Sequence, residues 1–192
     1  MYEVELKLQT AHEPVRDQLG TTDATHVGRI TQADTYYQAP DRDFADTDEA
    51  LRIRIETPGD TAPESLSART SDARVLLTYK GPLIDPESKS RAEAETPVAD
   101  ATALERILTG LGYEPTATVH KRRDRYRVEE CAVVLDRVEG LGEYVEVETE
   151  TDADVETARE RAVAVLEQLG LDPADQIRTS YLGQLLAARD GS

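Results

Sequence analysis

The chain begins MYEVELKLQT, where Glu3, Glu5 and Lys7 alternate with Val4, Leu6 and Leu8. An extended backbone turns successive side chains to opposite faces, so a strand here carries one aliphatic face and one face with two carboxylates and an ammonium. The same period recurs down the chain. Arg52, Arg54 and Glu56 share a face of ALRIRIE; Arg91, Glu93 and Glu95 share one of SRAEAETPV. Lys121, Arg123 and Arg125 align in VHKRRDRYRV, Glu146 and Glu148 in EYVEVE, and Lys80 closes VLLTYK on the face of Thr78 and Leu76. Gathered carboxylates suit a hard divalent cation, and gathered guanidinium and ammonium groups suit phosphate oxygens. Divalent metal with a triphosphate would satisfy both sets together.

Taken singly, each of these strands reads as an ordinary amphipathic strand with its polar face in water. Two features of the whole chain turn the charged faces inward. Basic residues concentrate on some strands and acidic residues on others, and the apolar stripes of the helices need the aliphatic strand faces as partners. The basic candidates (Lys7, Arg52, Arg54, Lys80, Arg91, Lys121, Arg123, Arg125) equal in number the acidic ones (Glu3, Glu5, Glu56, Glu93, Glu95, Asp136, Glu146, Glu148). An interior needs that balance, because an unpaired buried charge costs several kcal/mol.

The elements that must position these residues are mostly strands, expected over Tyr2–Gln9, His26–Gln38, Ala50–Glu56, Arg74–Lys80, Ser90–Val98, Ala117–Glu129, Ala132–Val138 and Glu143–Glu150. Helical periodicity marks Glu13–Leu19, a segment capped by Asp100, and DADVETARERAVAVLEQLG, whose Val155, Ala158, Ala162, Val165, Leu166 and Leu169 form one stripe ending at Gly170. A last helix is expected over about Ala174–Ala188, with Ile177, Tyr181, Leu185 and Leu186 facing inward. The Pro-, Ser- and Asp-rich stretch Thr57–Ala73 reads as a long hairpin loop that would cover one mouth. The fold class is α+β: an antiparallel meander of eight strands, closed so as to remove its edges, with helices packed outside. All 192 residues form one domain, with strands over about 2–150 and the C-terminal helices over about 153–189.

A formal charge of -17 and a pI near 4.5 oppose nucleic-acid or anionic-membrane binding, so KRRDRYR reads as a wall of the charged interior. Four lysines against 18 arginines, with acidic residues spread along the chain, point to salt adaptation. No signal peptide or membrane-length apolar run is present, and the lone Cys131 fits a reducing cytoplasm. Gly140–Gly142 reads as a hairpin turn rather than a phosphate loop, and His12, His26 and His120 lack catalytic spacing. Of Tyr36 and Tyr37, one is expected in the core and the other within reach of substrate.

Glu3-x-Glu5-x-Lys7, followed in order by DTYYQ, ALRIR, LLTYKGP, SRAEAE, KRRDRY, LDRVEGLGEYVEVE and SYLGQLL, resembles the CYTH superfamily of triphosphate tunnel enzymes. The last two stretches are most similar to its class IV adenylate cyclases and their archaeal relatives. The resemblance implies a closed or nearly closed eight-stranded antiparallel barrel around a charged tunnel. It places Mg²⁺ or Mn²⁺ on Glu3, Glu5, Asp136, Glu146 and Glu148, and triphosphate on Lys7, Arg52, Arg54, Lys80, Arg91, Lys121, Arg123 and Arg125. Asp136, Glu146 and Lys80 are the implied catalytic residues, and Glu93 and Glu95 would orient the basic ones. The implied partner is a nucleoside triphosphate or other triphosphate small molecule, with no nucleic acid and no membrane; a homodimer stays open. The expected reaction converts ATP to cyclic AMP and pyrophosphate. Hydrolysis of inorganic or thiamine triphosphate, or binding of triphosphate without turnover, are the alternatives.

Overall fold

A computed structural model describes residues 2–59, 72–85, 90–152 and 154–190. Residues 60–71 of the expected mouth-covering loop lie outside them. The strands are β1 (Tyr2–Gln9), β2 (Thr25–Gln38), β3 (Ala50–Pro58), β4 (Arg74–Asp85), β5 (Ser90–Pro97), β6 (Glu114–Val128), β7 (Cys131–Val138) and β8 (Gly142–Thr151). The helices are α1 (His12–Leu19), α2 (Phe44–Thr47), α3 (Ala101–Gly110), α4 (Val155–Gln168) and α5 (Tyr181–Asp190). All eight strands close into one antiparallel barrel in the order β1-β5-β4-β3-β2-β6-β7-β8.

That order corrects the expected meander. Two hairpin runs, β2 to β5 and β6 to β8, are joined by the β2–β6 ladder, and β1 closes the ring between β5 and β8. The connections between β1 and β2 and between β5 and β6 leave the sheet and carry α1 and α3.

Two of the three hydrophobic clusters among the described residues join the barrel's outer face to helices. Leu6 and Leu8 of β1, Val133 and Leu135 of β7, and Val145 and Val147 of β8 pack with Val15 and Leu19 of α1 and Ala162, Val165 and Leu166 of α4. A second cluster sets Leu51, Ile53 and Ile55 of β3 and Val75 of β4 against Phe44 of α2 and Ala101 and Leu108 of α3. Burying each such Leu, Ile or Val contributes about 1.5–3 kcal/mol, so apolar burial fixes which strand face turns outward. The helix starts follow from sequence: Asp100 accepts from the Ala103 amide at 2.9 Å and Asp154 from the Thr157 amide at 3.0 Å.

The C-terminal segment differs from the single helix expected over Ala174–Ala188. Pro173–Asp175 is a 3-10 turn capped by Asp172, and the chain then runs extended to α5. The amide of Ile177 donates to the carbonyl of Lys7 at 2.7 Å, tying this extended stretch to β1. The short α2 was not foreseen; four residues are too few for a periodic signal.

Candidate active site

With the aliphatic faces outside, the alternate residues must point into the barrel. Glu3, Glu5, Lys7, Arg52, Arg54, Lys80, Arg91, Lys121, Arg123, Glu146 and Glu148 line one cavity of about 250 Å³. A second of about 370 Å³ begins at Arg54, Arg123 and Glu148 and runs past Arg125 to the far mouth. Shared walls make the two cavities halves of one tunnel. Asp136 is fully buried at its side, facing Arg123 across the β6–β7 ladder.

Pairing register builds an acidic wall. In the β1–β8 ladder Glu3 lies opposite Glu150, Glu5 opposite Glu148, and Lys7 opposite Glu146. Oxygens of Glu3, Glu5 and Glu148 come within 4.8 Å of one another. Lys80 of β4 contacts both Glu3, by a short hydrogen bond, and Glu93, at 2.9 Å. Burial raises the Glu3 carboxyl above its usual range, Lys80 opposing and Glu93 and Glu5 adding to the rise. Burial would lower the Lys80 ammonium, but Glu3 and Glu93 outweigh it, so Lys80 stays charged.

Arg123 is the hub of the opposite wall. Its Nε and Nη2 donate to Asp136 at 2.7 and 2.6 Å, Nη2 also to Glu146 at 2.5 Å, and Nη1 to Glu148 at 3.1 Å. Burial would raise Asp136, yet Arg123 and Lys121 hold it well below the carboxylate range. Glu146 goes the other way: burial and the Glu5 charge push it up to about 8 against the pull of Arg123. Arg123 thus engages Asp136, Glu146 and Glu148, and among the described residues the carboxylates close enough for one cation are Glu3, Glu5 and Glu148, of which Lys80 holds Glu3 and Arg123 holds Glu148.

Asp34 of β2, absent from the residues expected at the site, organises the remaining cations. It is 1 % exposed and accepts from Arg54 Nε at 2.6 Å, Arg54 Nη2 at 2.7 Å and Arg52 Nη1 at 3.3 Å. The period of two in QADTYYQ puts Asp34 on the face of Gln32 and Tyr36, so alternation alone could have found it. The same continuation reveals Glu150, which lines both halves. Lys121 remains under-compensated: burial and the neighbouring Arg123 lower its ammonium, with Asp136 at 3.5 Å only partly offsetting them. Among the described residues, the buried Nε atoms of Arg52 and Arg125 meet no acceptor. Unpaired buried donors and a depressed ammonium leave this wall with positive charge that the described carboxylates do not fully offset. Arg91 turns aside, donating to the backbone oxygen of Asp48 at 2.5 Å and its carboxylate at 2.8 Å.

One mouth is stopped by the start of α5. The Tyr181 ring takes the ammonium groups of Lys7 and Lys121 at 4.6 and 5.2 Å from its centroid, and its hydroxyl donates to Asp136 at 3.2 Å. It meets Tyr144 edge-on at 5.0 Å, with Tyr36 in the same cluster. Tyr36 lines the tunnel while Tyr37 belongs to the outer core. Tyr181 faces inward as its helical stripe predicts, but its place in the barrel mouth depends on the chain returning over that mouth.

A closed antiparallel barrel with a charged interior defines the triphosphate-tunnel class of fold. The CYTH domain model matches residues 1–181, and the chain belongs to the CYTH family. It is 33% identical over 186 residues to a Methanocaldococcus jannaschii protein whose name offers adenylate cyclase provisionally, covering 95% of this chain and 97% of that one. It is 28% identical over 152 residues to adenylate cyclase CyaB of Aeromonas hydrophila, covering 78% of this chain and 70% of the other. A solved Pyrococcus horikoshii structure superposes with a TM-score of 0.84 at 37% identity, over 97% of this chain and 99% of that one. No helix among the described residues is long and apolar enough to cross a membrane.

Proposed function

We propose that this chain is a metal-dependent enzyme that binds the triphosphate of ATP in its tunnel and forms cyclic AMP and pyrophosphate. The observation that carries the reading is the facing of two walls: the carboxylates of Glu3, Glu5 and Glu148 within 4.8 Å of one another, and the guanidiniums of Arg52 and Arg54 held ready by Asp34. The oxygen donors of that trio fit Mg²⁺ or Mn²⁺, which would supply charge neutralisation on the phosphates and a lowered pKa for the attacking hydroxyl.

The chain's own groups do the rest. Arg52, Arg54, Lys121 and Lys7 bind phosphate oxygens, and Lys80 exchanges Glu3 for phosphate. The carboxylates of Asp136 and Glu146 fix the Arg123 fork, so that its donors are oriented before the leaving pyrophosphate develops charge. Glu146, with its raised pKa, is the carboxyl suited to exchange a proton near neutrality. The provisional name of the 33% identical relative, which spans nearly the whole chain, supports cyclisation over hydrolysis.

The test gives the purified protein ATP, inorganic triphosphate and thiamine triphosphate in parallel, with Mg²⁺ or Mn²⁺. Cyclic AMP with pyrophosphate from ATP is the expected outcome. Orthophosphate instead would make the protein a triphosphatase, and tight binding without any product would make it a receptor.

A further inference from the structure

The strand that carries Lys121, Arg123 and Arg125 into the tunnel turns its alternate residues outward, and those are not aliphatic. Arg122 and Asp124 of β6 face a surface cleft of about 270 Å³ with Arg16 of α1, Arg29 of β2 and Arg137 of β7. Asp124 is 4 % exposed; it accepts from Arg29 Nε at 2.8 Å and Nη2 at 3.1 Å, and from Arg16 Nη2 at 2.8 Å. Burial would raise its carboxyl, but Arg29 and Arg16 hold it below the usual range, so it is charged and fully engaged.

An ion-pair knot pinning α1 to the barrel accounts for Arg16, Arg29 and Asp124. It does not account for Arg122, nor for its place beside Arg137. Arg122 stands directly opposite Arg137 in the β6–β7 ladder, both exposed, and like charges in that position destabilise a sheet. Arg137 bonds Glu143, which also accepts from the His12 amide at 3.0 Å; Arg122 has no ion pair among the described residues. Arg122 therefore stands without a counter-charge among the described residues, beside an Arg137 that shares Glu143 with a backbone amide, on the outside of a chain whose net charge is -17.

We propose that this cleft is an anion site outside the tunnel, taking a small oligophosphate of the pyrophosphate class on Arg122 and Arg137. Every cation here is arginine, whose planar fork meets phosphate oxygens two at a time where an ammonium gives only a point charge. The cleft is small and its cations come from four separate elements, a concave cup rather than a stripe. The chain's net charge of -17 repels a long polyanion more than a compact one. The inference does not depend on which reaction the tunnel performs.

Isothermal titration with sodium pyrophosphate, metal-free and at constant ionic strength, tests it on the wild type, Arg122→Ala/Arg137→Ala and Arg122→Lys/Arg137→Lys. Both positions are exposed, and circular dichroism checks that the fold is kept. Two pyrophosphates per chain are expected in the wild type and one in the alanine variant, with the remaining site unchanged within twofold. The lysine variant should keep both sites, the outer one weakened at least threefold. Equal stoichiometry and affinity in the wild type and the alanine variant would overturn the proposal. A single wild-type site that vanishes in the alanine variant upholds the cleft and counts against pyrophosphate in the tunnel, so the two readings fail separately.

Discussion

Replacing Asp34 by asparagine keeps the side chain's shape and removes its charge. Three charge-assisted hydrogen bonds converge on this carboxylate from Arg52 and Arg54, at 3.3, 2.6 and 2.7 Å. Asparagine retains one acceptor oxygen, so at least one bond is lost and two buried guanidiniums lose their shared counter-charge. Breaking a buried pair from one side costs about 3–5 kcal/mol, a large share of the roughly 5–15 kcal/mol that stabilises a typical domain. Urea unfolding of the metal-free protein at pH 7 should show that loss. Burial alone would raise Asp34, yet Arg54 and Arg52 hold it far below the ordinary carboxylate value. Its contribution is therefore present above about pH 4 and fades as pH falls through the acid range, so the variant should lose part of the wild type's acid sensitivity. Inorganic triphosphate supplies the missing negative charge and should restore stability more to the variant than to the wild type. Turnover should drop in kcat while KM holds, because the arginines remain cationic but lose their orientation. A stability loss below about 1 kcal/mol, the worth of one ordinary hydrogen bond, with an unchanged ligand response would refute the account of Asp34 as the holder of both arginines.

Glu146→Gln should stabilise the metal-free protein relative to wild type as pH rises from about 4 through about 8, since the folded state binds that proton more tightly than the unfolded one; thermal melts at pH 5.5 and 8.5 measure the difference. Tyr181→Phe should cost about 1 kcal/mol by leaving Asp136 one donor short while the ring still covers Lys7 and Lys121, read by urea unfolding. Leu166→Ala, fully buried between α4 and the barrel, should cost about 2–5 kcal/mol and leave triphosphate binding by the folded protein unchanged, because the outer core and the tunnel share no side chains at that point. Asp154→Ala should remove the α4 cap at a cost of about 1 kcal/mol, visible as a lower melting temperature.

Alternation was the readable signal. In β1 it separated Val4, Leu6 and Leu8 from Glu3, Glu5 and Lys7, and the structure buries the first set, with Leu6 and Leu8 against the helices, and turns the second to the tunnel. Strand ends fell within a few residues because Gly, Pro and Asp mark the breaks. Strand order was not readable: nothing local says that β1 pairs with β8 rather than with β2. Interaction partners were equally hidden. Arg123 and Arg125 look alike in KRRDRYR, yet the first meets three carboxylates and the Nε of the second meets none. Tyr181 was legible as inward-facing but its contacts in the tunnel were not, since the 3-10 turn and the bond from Ile177 to Lys7 bring α5 over the mouth.

The seam of the barrel sets an order of assembly. β1 precedes the other barrel strands in chain order, yet its ladder to β8 has eight residue pairs and its contact with β5 only two among the described residues. Closure must therefore wait for a partner some 140 positions downstream, and sequence-distant pairing of that kind is slow. Until then the nascent chain carries Glu3 and Glu5 on an open edge, whose charge guards it against pairing with a neighbour. The acidic wall of the tunnel joins the two ends of the strand order, so a chain truncated before β8 would keep Glu3 and Glu5 but lack Glu148 and the three-carboxylate group it completes.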